Sequence, residues 1–348
     1  MDINKQKKGE PFRLADSDPS SNGALRRKSG FRHRAITTGF SAAVFLGSVW
    51  YIGRTFQWRE LGPVLKDVDL ICLIAGGGAS IMAYWMLRTL RWCILLRRTG
   101  AHVPFLDLYL CTAVSLSFAA FTPLQSGEML KVELLKKYGM IQRSPGYGSF
   151  LVEKALDLMV LMTMACVSLL TTLNILPDRA YSYWIFGGLV LTCIVSLIVL
   201  AKLRLKGRLQ QLLEHIRQCA GDTPTLLLVI VITCASWAAV AFSWQVLLYA
   251  GGIHLGFAKT VALMSTVALI SILSLIPAGA GVFEAGTSQL LIHFGVVAAV
   301  AQAGALVIRS GDVLAAALGI GHLGLWKLVR LLRGQRAQTA ASPGKRAL

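Results

Sequence analysis

Long apolar runs separated by short basic segments constrain this chain more than any other feature of its sequence. Several runs approach the roughly 20 residues that an α-helix needs to cross the hydrocarbon core of a bilayer. The composition agrees, because 55% of the residues are hydrophobic and 15% are charged, whereas soluble domains carry about 25% charged residues. The sequence therefore predicts an all-α, polytopic integral membrane protein.

We expect about seven to nine apolar helical segments in a membrane domain that extends over residues 35–330. The candidate segments are residues 35–53, 69–90, 105–122, 148–173, 183–201, 224–250, 259–276, 283–300 and 302–326. Basic, polar sequences flank this domain at residues 1–34 and 331–348, and they are expected to be disordered tails. The first tail is long for a signal peptide, so we expect the first segment to remain uncleaved.

The net charge of +18 indicates where the loops lie. In a soluble protein such a charge would favour nucleic acid as a partner, but here the basic residues fall between apolar runs. Basic loops favour the cytoplasmic side of a membrane and contact anionic lipid headgroups. We therefore expect an inner-membrane protein with both termini in the cytoplasm, with anionic headgroups and no nucleic acid among its partners.

The stretch FTPLQSGEMLK, residues 121–131, interrupts the apolar segment that begins at residue 105. Basic residues lie on both sides of this segment, which a single crossing does not explain. The pattern predicts a re-entrant hairpin that enters from the cytoplasm, breaks near Thr122 and Pro123, and returns. Non-helical backbone at this depth is tolerated only where protein or a water-filled cavity surrounds it.

The residues of this first break predict a helix start that faces an anion. Thr122 is expected to cap the helix, Pro123 to take its first position, and Gln125 to close a capping box. The free N–H groups and the positive end of the helix dipole then favour an anion such as a phosphate. Gly127 permits the close approach of another helix or of a ligand.

A second break, IPAGAGVFEAG, again combines a proline and glycines with a carboxylate. Its distinctive residues are Pro277, Gly279, Gly281 and Glu284. The basic loops leave two possibilities for this region: three crossings, or an outer re-entrant hairpin followed by one crossing. A hairpin from outside would make the two halves an inverted repeat, in which broken helices mark a transporter's binding site. The alternatives are two loops of similar composition by chance, with Glu284 acting only as a helix cap.

Charged residues also lie inside the apolar segments. Glu153 and Asp157 are four residues apart and share a helix face. Asp157 lies about 14 Å into its segment, where an ionisable group should face the protein interior and serve a function. Glu128 and Lys131, three residues apart at the first break, are placed to pair with each other.

Three arginines and one aspartate complete the candidate site. Arg309 and Asp312 have the i,i+3 spacing of a pair that neutralises itself, so they are either such a pair or part of the site. Arg88 and Arg91 end the second segment, where they are expected to extend toward lipid phosphates, or to serve only as a topology signal.

No pattern for catalysis or for a cofactor stands out. The sequence shows no Ser/His/Asp arrangement, P-loop or Rossmann fingerprint in the right context, and its six histidines lack metal-site spacing. We expect no cofactor, no metal and no enzymatic activity. The alternatives are an integral-membrane transferase and an accessory subunit of a lipid or lipid-linked saccharide biosynthesis complex.

In order along the chain, RTLRW, FTPLQSGEMLK, EKALDL and PAGAGVFEAG resemble the transmembrane domain of lysylphosphatidylglycerol synthases. The resemblance extends over about residues 35–330 and includes stand-alone proteins that share this domain. In the full-length synthases this domain flips aminoacylated lipid across the membrane, and a separate cytoplasmic domain makes that lipid. The present sequence resembles only the membrane domain, which implies a flippase-like protein rather than a synthase.

The resemblance and the chemistry of the breaks together predict translocation of an anionic or phosphate-bearing lipid across the inner membrane. The stand-alone members are linked to glycolipid, polyprenyl-linked saccharide and hopanoid pathways, so the resemblance leaves the lipid open and implies a lipid-biosynthesis enzyme as a partner. The headgroup is expected to move along a groove lined by Glu128, Lys131, Glu153, Asp157, Glu284 and Arg309.

Overall fold

The computed structural model describes residues 58–168, 223–273 and 276–340 together with isolated positions near residues 50–56, 171–172, 214 and 218. These residues form nine α-helices and no strand, which confirms the predicted all-α fold class. The predicted tail at 1–34 and the predicted segments at 35–53 and 183–201 lie almost entirely outside the described residues.

The helices are α1 Trp58–Lys66, α2 Gly77–Arg98, α3 Phe105–Ala119, α4 Leu130–Lys137, α5 Arg143–Ser168, α6 Thr223–Ala250, α7 Phe257–Leu273, α8 Val282–His293 and α9 Ala298–Ala340. Seven of these helices overlap predicted apolar segments, whereas α1 and α4 lie outside them. Helix α2 ends eight residues after the predicted segment 69–90, and α8 ends seven residues before the end of the predicted segment 283–300. A turn of π-helix, Cys72–Gly76, leads into α2. Two 3₁₀ segments, Pro123–Met129 and Pro277–Gly279, occupy the first break and the second break.

Two of these helices are long and apolar enough to cross a membrane: α6 and the Ala298–Leu332 part of α9. Helices α3 and α7 are apolar but have only 15 and 17 residues. At 1.5 Å per residue they extend over about 22 to 26 Å, which is less than the roughly 30 Å thickness of the hydrocarbon core. This length suits the half of a hairpin that turns back before it crosses.

The helix–break–helix arrangement of the first predicted hairpin is confirmed, whereas its entry from the cytoplasm stays a prediction. Helices α3 and α4 pack against each other on either side of the first break, and both contribute to one apolar cluster with Trp92 of α2 and Trp326 of α9. Gly127 lies so close to the end of α3 that a methyl group on it would be 2.9 Å from the Ala119 backbone nitrogen. A short loop, residues 99–104, joins α2 to α3, so this hairpin enters where α2 ends.

The second break also lies within a hairpin, formed by α7 and α8, which pack against each other. Gly304 of α9 contacts Ile253, which precedes α7, and Leu291, which lies near the end of α8. The chain therefore returns to the end at which it entered. Three crossings would return the chain to the same end, but α8 has only 12 residues and extends over about 18 Å, which favours one re-entrant hairpin followed by a single crossing by α9.

The two hairpins enter the bundle from opposite ends. The Asp69 N–H donates a hydrogen bond of 2.9 Å to the Ala250 carbonyl, so the start of α2 lies beside the end of α6. The second hairpin begins directly after α6, whereas the first hairpin begins at the other end of α2. The two breaks contact each other inside the bundle, as an inverted arrangement requires. We call the two ends the first-hairpin end and the second-hairpin end.

Each break contains one residue other than glycine in the left-handed region. Gln125 has φ 53° in the first break and Ala278 has φ 59° in the second, a conformation that costs such a residue about 1–2 kcal/mol. Thr122 is extended and Pro123 takes the first helical position, as predicted. The predicted capping box is wrong, because Gln125 turns left-handed and the Thr122 hydroxyl instead accepts from Gly127 N–H at 2.8 Å.

Helix α9 continues without interruption to Ala340, so residues 331–340 are helical although we expected them in a disordered tail. Residues 298–340 contain no proline, and Gly334 alone does not end a helix that good helix formers surround. At the first-hairpin end, the Arg330 guanidinium stacks 4.3 Å from the centre of the Tyr138 ring, and this contact ties α9 to the hairpin.

The contact at Gly127 generates a stability prediction. A Gly127→Ala substitution places its methyl group against the α3 backbone and is expected to destabilise the protein by about 1–3 kcal/mol, the usual range for overpacking. The fraction of detergent-solubilised protein that remains folded after heating measures this effect. Gly62→Ala is the matched control, because no atom lies within 4 Å of the added methyl group. Equal thermal stability of the two variants would show that the break is not packed as described.

Candidate functional site

Seven charged residues meet beside the first break. This charge cluster contains Arg88, Arg91, Glu128, Lys131, Glu153, Lys154 and Asp157. It joins α2, the first break, α4 and α5, and six of its members are at most 5% exposed. Charged groups removed from water to this extent require partners, because an unpaired charge in a low-dielectric interior is strongly unfavourable.

Arg91 is the centre of the charge cluster. Its guanidinium donates to Asp157 at 2.7 Å and to Glu153 at 2.8 Å, and a further bond of 2.9 Å reaches the Thr233 hydroxyl of α6. One side chain thus joins three helices. The prediction that Glu153 and Asp157 share a helix face toward the interior is confirmed.

Arg88 connects the cluster to the first break. Its Nη2 donates to a carboxylate oxygen of Glu128 at 2.7 Å, and its Nη1 contacts Asp157. Arg88 and Arg91 are 1% and 0% exposed. The expectation that they extend to lipid phosphates is therefore wrong in this structure, because carboxylates of α5 and the break hold both guanidinium groups inside the bundle.

Lys131 pairs with Glu153, not with Glu128 as we expected from their spacing. Their spacing alone does not decide the partner, because α5 supplies Glu153 to Lys131. The Glu128 carboxylate is instead shared by Arg88 and by Lys154, whose ammonium group lies 2.6 Å away.

Lys154 is the functional candidate that the sequence reasoning missed. Besides Glu128, its ammonium donates to the side-chain carbonyl of Gln125 at 3.1 Å, so it contacts the left-handed residue of the break. The available signal was its position, since a lysine in the middle of an apolar segment is as unusual as the carboxylates beside it.

A second charged site lies at the second break. The Arg309 guanidinium donates to Glu284 at 2.6 Å, to Asp312 at 2.8 Å and to the Ala278 carbonyl at 2.9 Å, and it stacks 4.0 Å from the centre of the Phe283 ring. The expected Arg309–Asp312 pair is therefore present. It is not an isolated pair, because the same guanidinium also connects α9 to Glu284 of α8 and to the backbone of the second break.

Glu284 has both of the roles considered for it. One carboxylate oxygen accepts a hydrogen bond of 2.7 Å from Gly281 N–H, which caps the start of α8. The other oxygen accepts from Arg309. The Glu284 carboxylate thus neutralises part of the positive charge at the start of the α8 dipole. An external anion is therefore attracted less strongly to this helix end.

A cavity of about 240 Å³ lies between the two breaks. Its charged lining residues are Glu128, Arg309 and Asp312. Its polar and aromatic lining residues include Tyr84, Trp85, Thr122, Gln125, Trp237, Ser243, Trp244 and Phe283. Two carboxylates and one guanidinium give these lining residues a formal charge of −1, with Arg309 as the cation among them.

The predicted site residues divide into two sets. Those that line the cavity are Thr122, Glu128, Gly279, Arg309 and Asp312. Those outside its lining are Arg88, Arg91, Gly127, Lys131, Glu153, Asp157, Gly281 and Glu284. Pro123 and Pro277 belong to the backbone of the two breaks. Most of the predicted charged residues therefore lie outside the cavity lining and stabilise the breaks and their neighbouring helices.

One charged contact at the first-hairpin end lies outside the membrane segments. Glu133 accepts from the Arg143 guanidinium at 2.9 and 3.0 Å and from the Tyr147 hydroxyl at 2.8 Å. The hydrogen bonds from Arg143, followed by that from Tyr147, lower the pKa of Glu133 to about 2. This carboxylate therefore stays ionised at neutral pH and joins α4 to the start of α5.

The opposed hairpins, the buried charges and the cavity define a helical membrane protein built around broken helices. Residues 39–319 match the family described as the lysylphosphatidylglycerol synthase TM region. The match covers most of the chain, so the protein belongs to this family, which implies a function related to membrane lipids. None of the curated proteins compared with the chain matches its sequence.

The charge cluster generates a second prediction. Arg91→Gln leaves Glu153 and Asp157 short of a partner, and breaking a buried ion pair in this way costs about 3–5 kcal/mol. We expect a clear loss of thermal stability and of detergent-extractable protein. Arg97→Gln is the control, because this arginine is exposed near the end of the same helix. If both variants were as stable as the unchanged protein, the cluster would not hold the helices together.

Proposed function

We propose that this protein moves the polar headgroup of a phosphate-bearing lipid between the two leaflets of the membrane, while the lipid's acyl chains stay in the bilayer. The observation that carries this proposal is the meeting of two broken hairpins, from opposite ends of the bundle, at one polar cavity. Family membership supports the coarser part, a role with membrane lipids.

Opposed broken hairpins suit translocation for a physical reason. Paired interrupted helices that meet near the middle of a membrane place a binding site between two thin barriers, one toward each side. A movement of either hairpin can then expose the site to one side at a time. The non-helical backbone at the breaks is tolerated there because it lines a cavity.

The lining favours a headgroup that is polar but small. Arg309 supplies its Nη2 group, which has no hydrogen-bond partner among the described residues and can donate a charge-assisted hydrogen bond to a phosphate. Tyr84, Thr122 and Ser243 supply hydroxyls. A cavity of 240 Å³ exceeds the ~150 Å³ that admits benzene, so its size fits a phosphoglycerol headgroup, aminoacylated or not, better than a long polyprenyl-linked saccharide.

We further propose that the first-hairpin end faces the cytoplasm of a cell with an inner membrane. This end carries exposed basic residues of the described chain: Arg97, Arg98, Lys136, Lys137 and Arg143. Basic residues in short loops favour the cytoplasmic side and contact anionic headgroups there. A lipid-biosynthesis enzyme that supplies the lipid is the partner that this placement favours.

The orientation generates a third prediction. In a variant without native cysteines, Lys137→Cys should react with a membrane-impermeant maleimide only from the cytoplasmic side. Val297→Cys, at the second-hairpin end, should react only from the opposite side. Labelling of intact cells and of inverted vesicles gives the two accessibilities. Reaction of both cysteines from the same side would contradict the opposed hairpins. Reaction of Lys137→Cys from outside and of Val297→Cys from the cytoplasm would show that the proposed orientation is inverted.

Filling the cavity tests translocation directly, and this is the fourth prediction. Ala268→Phe adds a ring to the lining, and we expect it to slow the transfer of acyl-chain-labelled phosphatidylglycerol in proteoliposomes at least tenfold. Loss of fluorescence on addition of dithionite reports the lipid that reaches the outer leaflet. Ala238→Phe makes the same change on the exposed face of α6 and should leave the rate unchanged.

The same vesicles distinguish the alternatives. Equal transfer rates with Ala268→Phe and with the unchanged protein would reject the proposed route through the cavity. Chemical conversion of a lipid donor, detected by mass spectrometry of the extracted lipids, would instead favour a membrane transferase. Absence of both transfer and conversion would favour an accessory subunit of a biosynthesis complex.

A further inference from the structure

Lys154 lies on a stripe of α5 that faces away from the bundle. Leu151 and Leu158 are 43% and 40% exposed, and Lys154 lies between them at the i+3 and i−4 positions of the same helix face. It is 11 residues from the exposed Arg143, or about 16 Å along the helix. In a membrane this apolar stripe faces lipid tails, where a lysine is unusual and indicates a function.

The charge cluster has one positive charge more than it has negative charges. It contains four cations, Arg88, Arg91, Lys131 and Lys154, and the three carboxylates of Glu128, Glu153 and Asp157. The described second site, at Arg309, shares no ion pair with it. An excess charge in a low-dielectric environment is favourable only when a counter-ion is near.

Lys154 is where that counter-ion can bind. Its side chain is 24% exposed, whereas those of the other six members are at most 7% exposed. An anion that approaches from the lipid side therefore reaches Lys154 before any other member of the cluster. The negatively charged group that a bilayer can supply to this face is the phosphate of a membrane lipid.

We propose that the face formed by α5 and the first break is a lateral entrance, at which the phosphate of a membrane lipid binds the Lys154 ammonium. This inference rests on the proposed translocation and specifies how the lipid arrives. The phosphate enters sideways from the bilayer, while its acyl chains lie along Leu151 and Leu158.

The same contact links lipid binding to the cavity. Lys154 donates to Gln125 and to Glu128, both of which line the cavity. A phosphate that accepts from the same ammonium competes with these two bonds and weakens them. Gln125 is held at φ 53°, a conformation that persists only where its surroundings maintain it. The arriving phosphate therefore loosens the first break next to the cavity that receives it.

Binding of a labelled lipid to the full chain in detergent tests this entrance. The probe is phosphatidic acid with a fluorophore on one acyl chain, and its anisotropy gives the affinity. Lys154→Gln is expected to weaken binding about tenfold or more, the effect of losing one charge-assisted hydrogen bond. Lys154→Arg should retain binding, and Lys136→Gln, which removes an exposed charge from α4, should not change it.

Diacylglycerol with the same labelled chain is the probe without phosphate. Its affinity should be equal in the unchanged protein and in Lys154→Gln. An equal loss of affinity for both probes would overturn the phosphate contact, as would full affinity of folded Lys154→Gln for phosphatidic acid. If Lys154→Gln does not fold, Glu128→Gln with Lys154→Gln removes one charge of each sign, and the same outcomes apply to it.

The two proposals fail in different ways. Lys154-dependent binding of phosphatidic acid without any transfer between leaflets would leave the entrance in place and reject translocation. Transfer that is slowed by Ala268→Phe but is unaffected by Lys154→Gln, in rate and in binding, would reject the entrance and leave translocation in place.

Discussion

The ion pairs between Arg91 of α2 and the two carboxylates of α5 are the interaction on which the rest of this structure depends. They fix two long helices side by side, and Lys131 and Glu128 then attach the first hairpin to the same charges. Such a cluster is a costly way to hold helices together, since apolar packing of equal volume often serves as well. Its presence at the first break indicates that ion pairs fix this hairpin in one specific position, which a change of charge would disturb.

The sequence was sufficient for the features that depend on neighbouring residues. Proline and glycine within an apolar run predicted both breaks, and the i,i+3 spacing predicted the Arg309–Asp312 pair. It was misleading where the backbone left the α-helical path and where other helices supplied a partner. The left-handed Gln125 removes the expected cap. Glu153 of α5 replaces Glu128 as the partner of Lys131.

What the sequence could not provide is the assembly of distant residues. Arg88 and Asp157 lie 69 positions apart, and no local periodicity brings them together. The same limit explains why Arg88 and Arg91 were expected at lipid headgroups. A basic residue near a span end has that position in most membrane proteins, and only the packing of α5 against α2 shows otherwise. The cavity is likewise a product of two hairpins that are far apart in sequence.

Helix α9 has a further consequence. It contacts the second break through Arg309 and the first hairpin through Arg330, 21 residues later, with no interruption between them. At 1.5 Å per residue the two contacts are about 32 Å apart along one rigid rod. A tilt of about 5° at Arg309 would displace Arg330 by about 3 Å, comparable with its 4.3 Å stacking distance on Tyr138. The rigidity of α9 thus couples a change at the second break to the contact of Arg330 with the first hairpin, about 32 Å away.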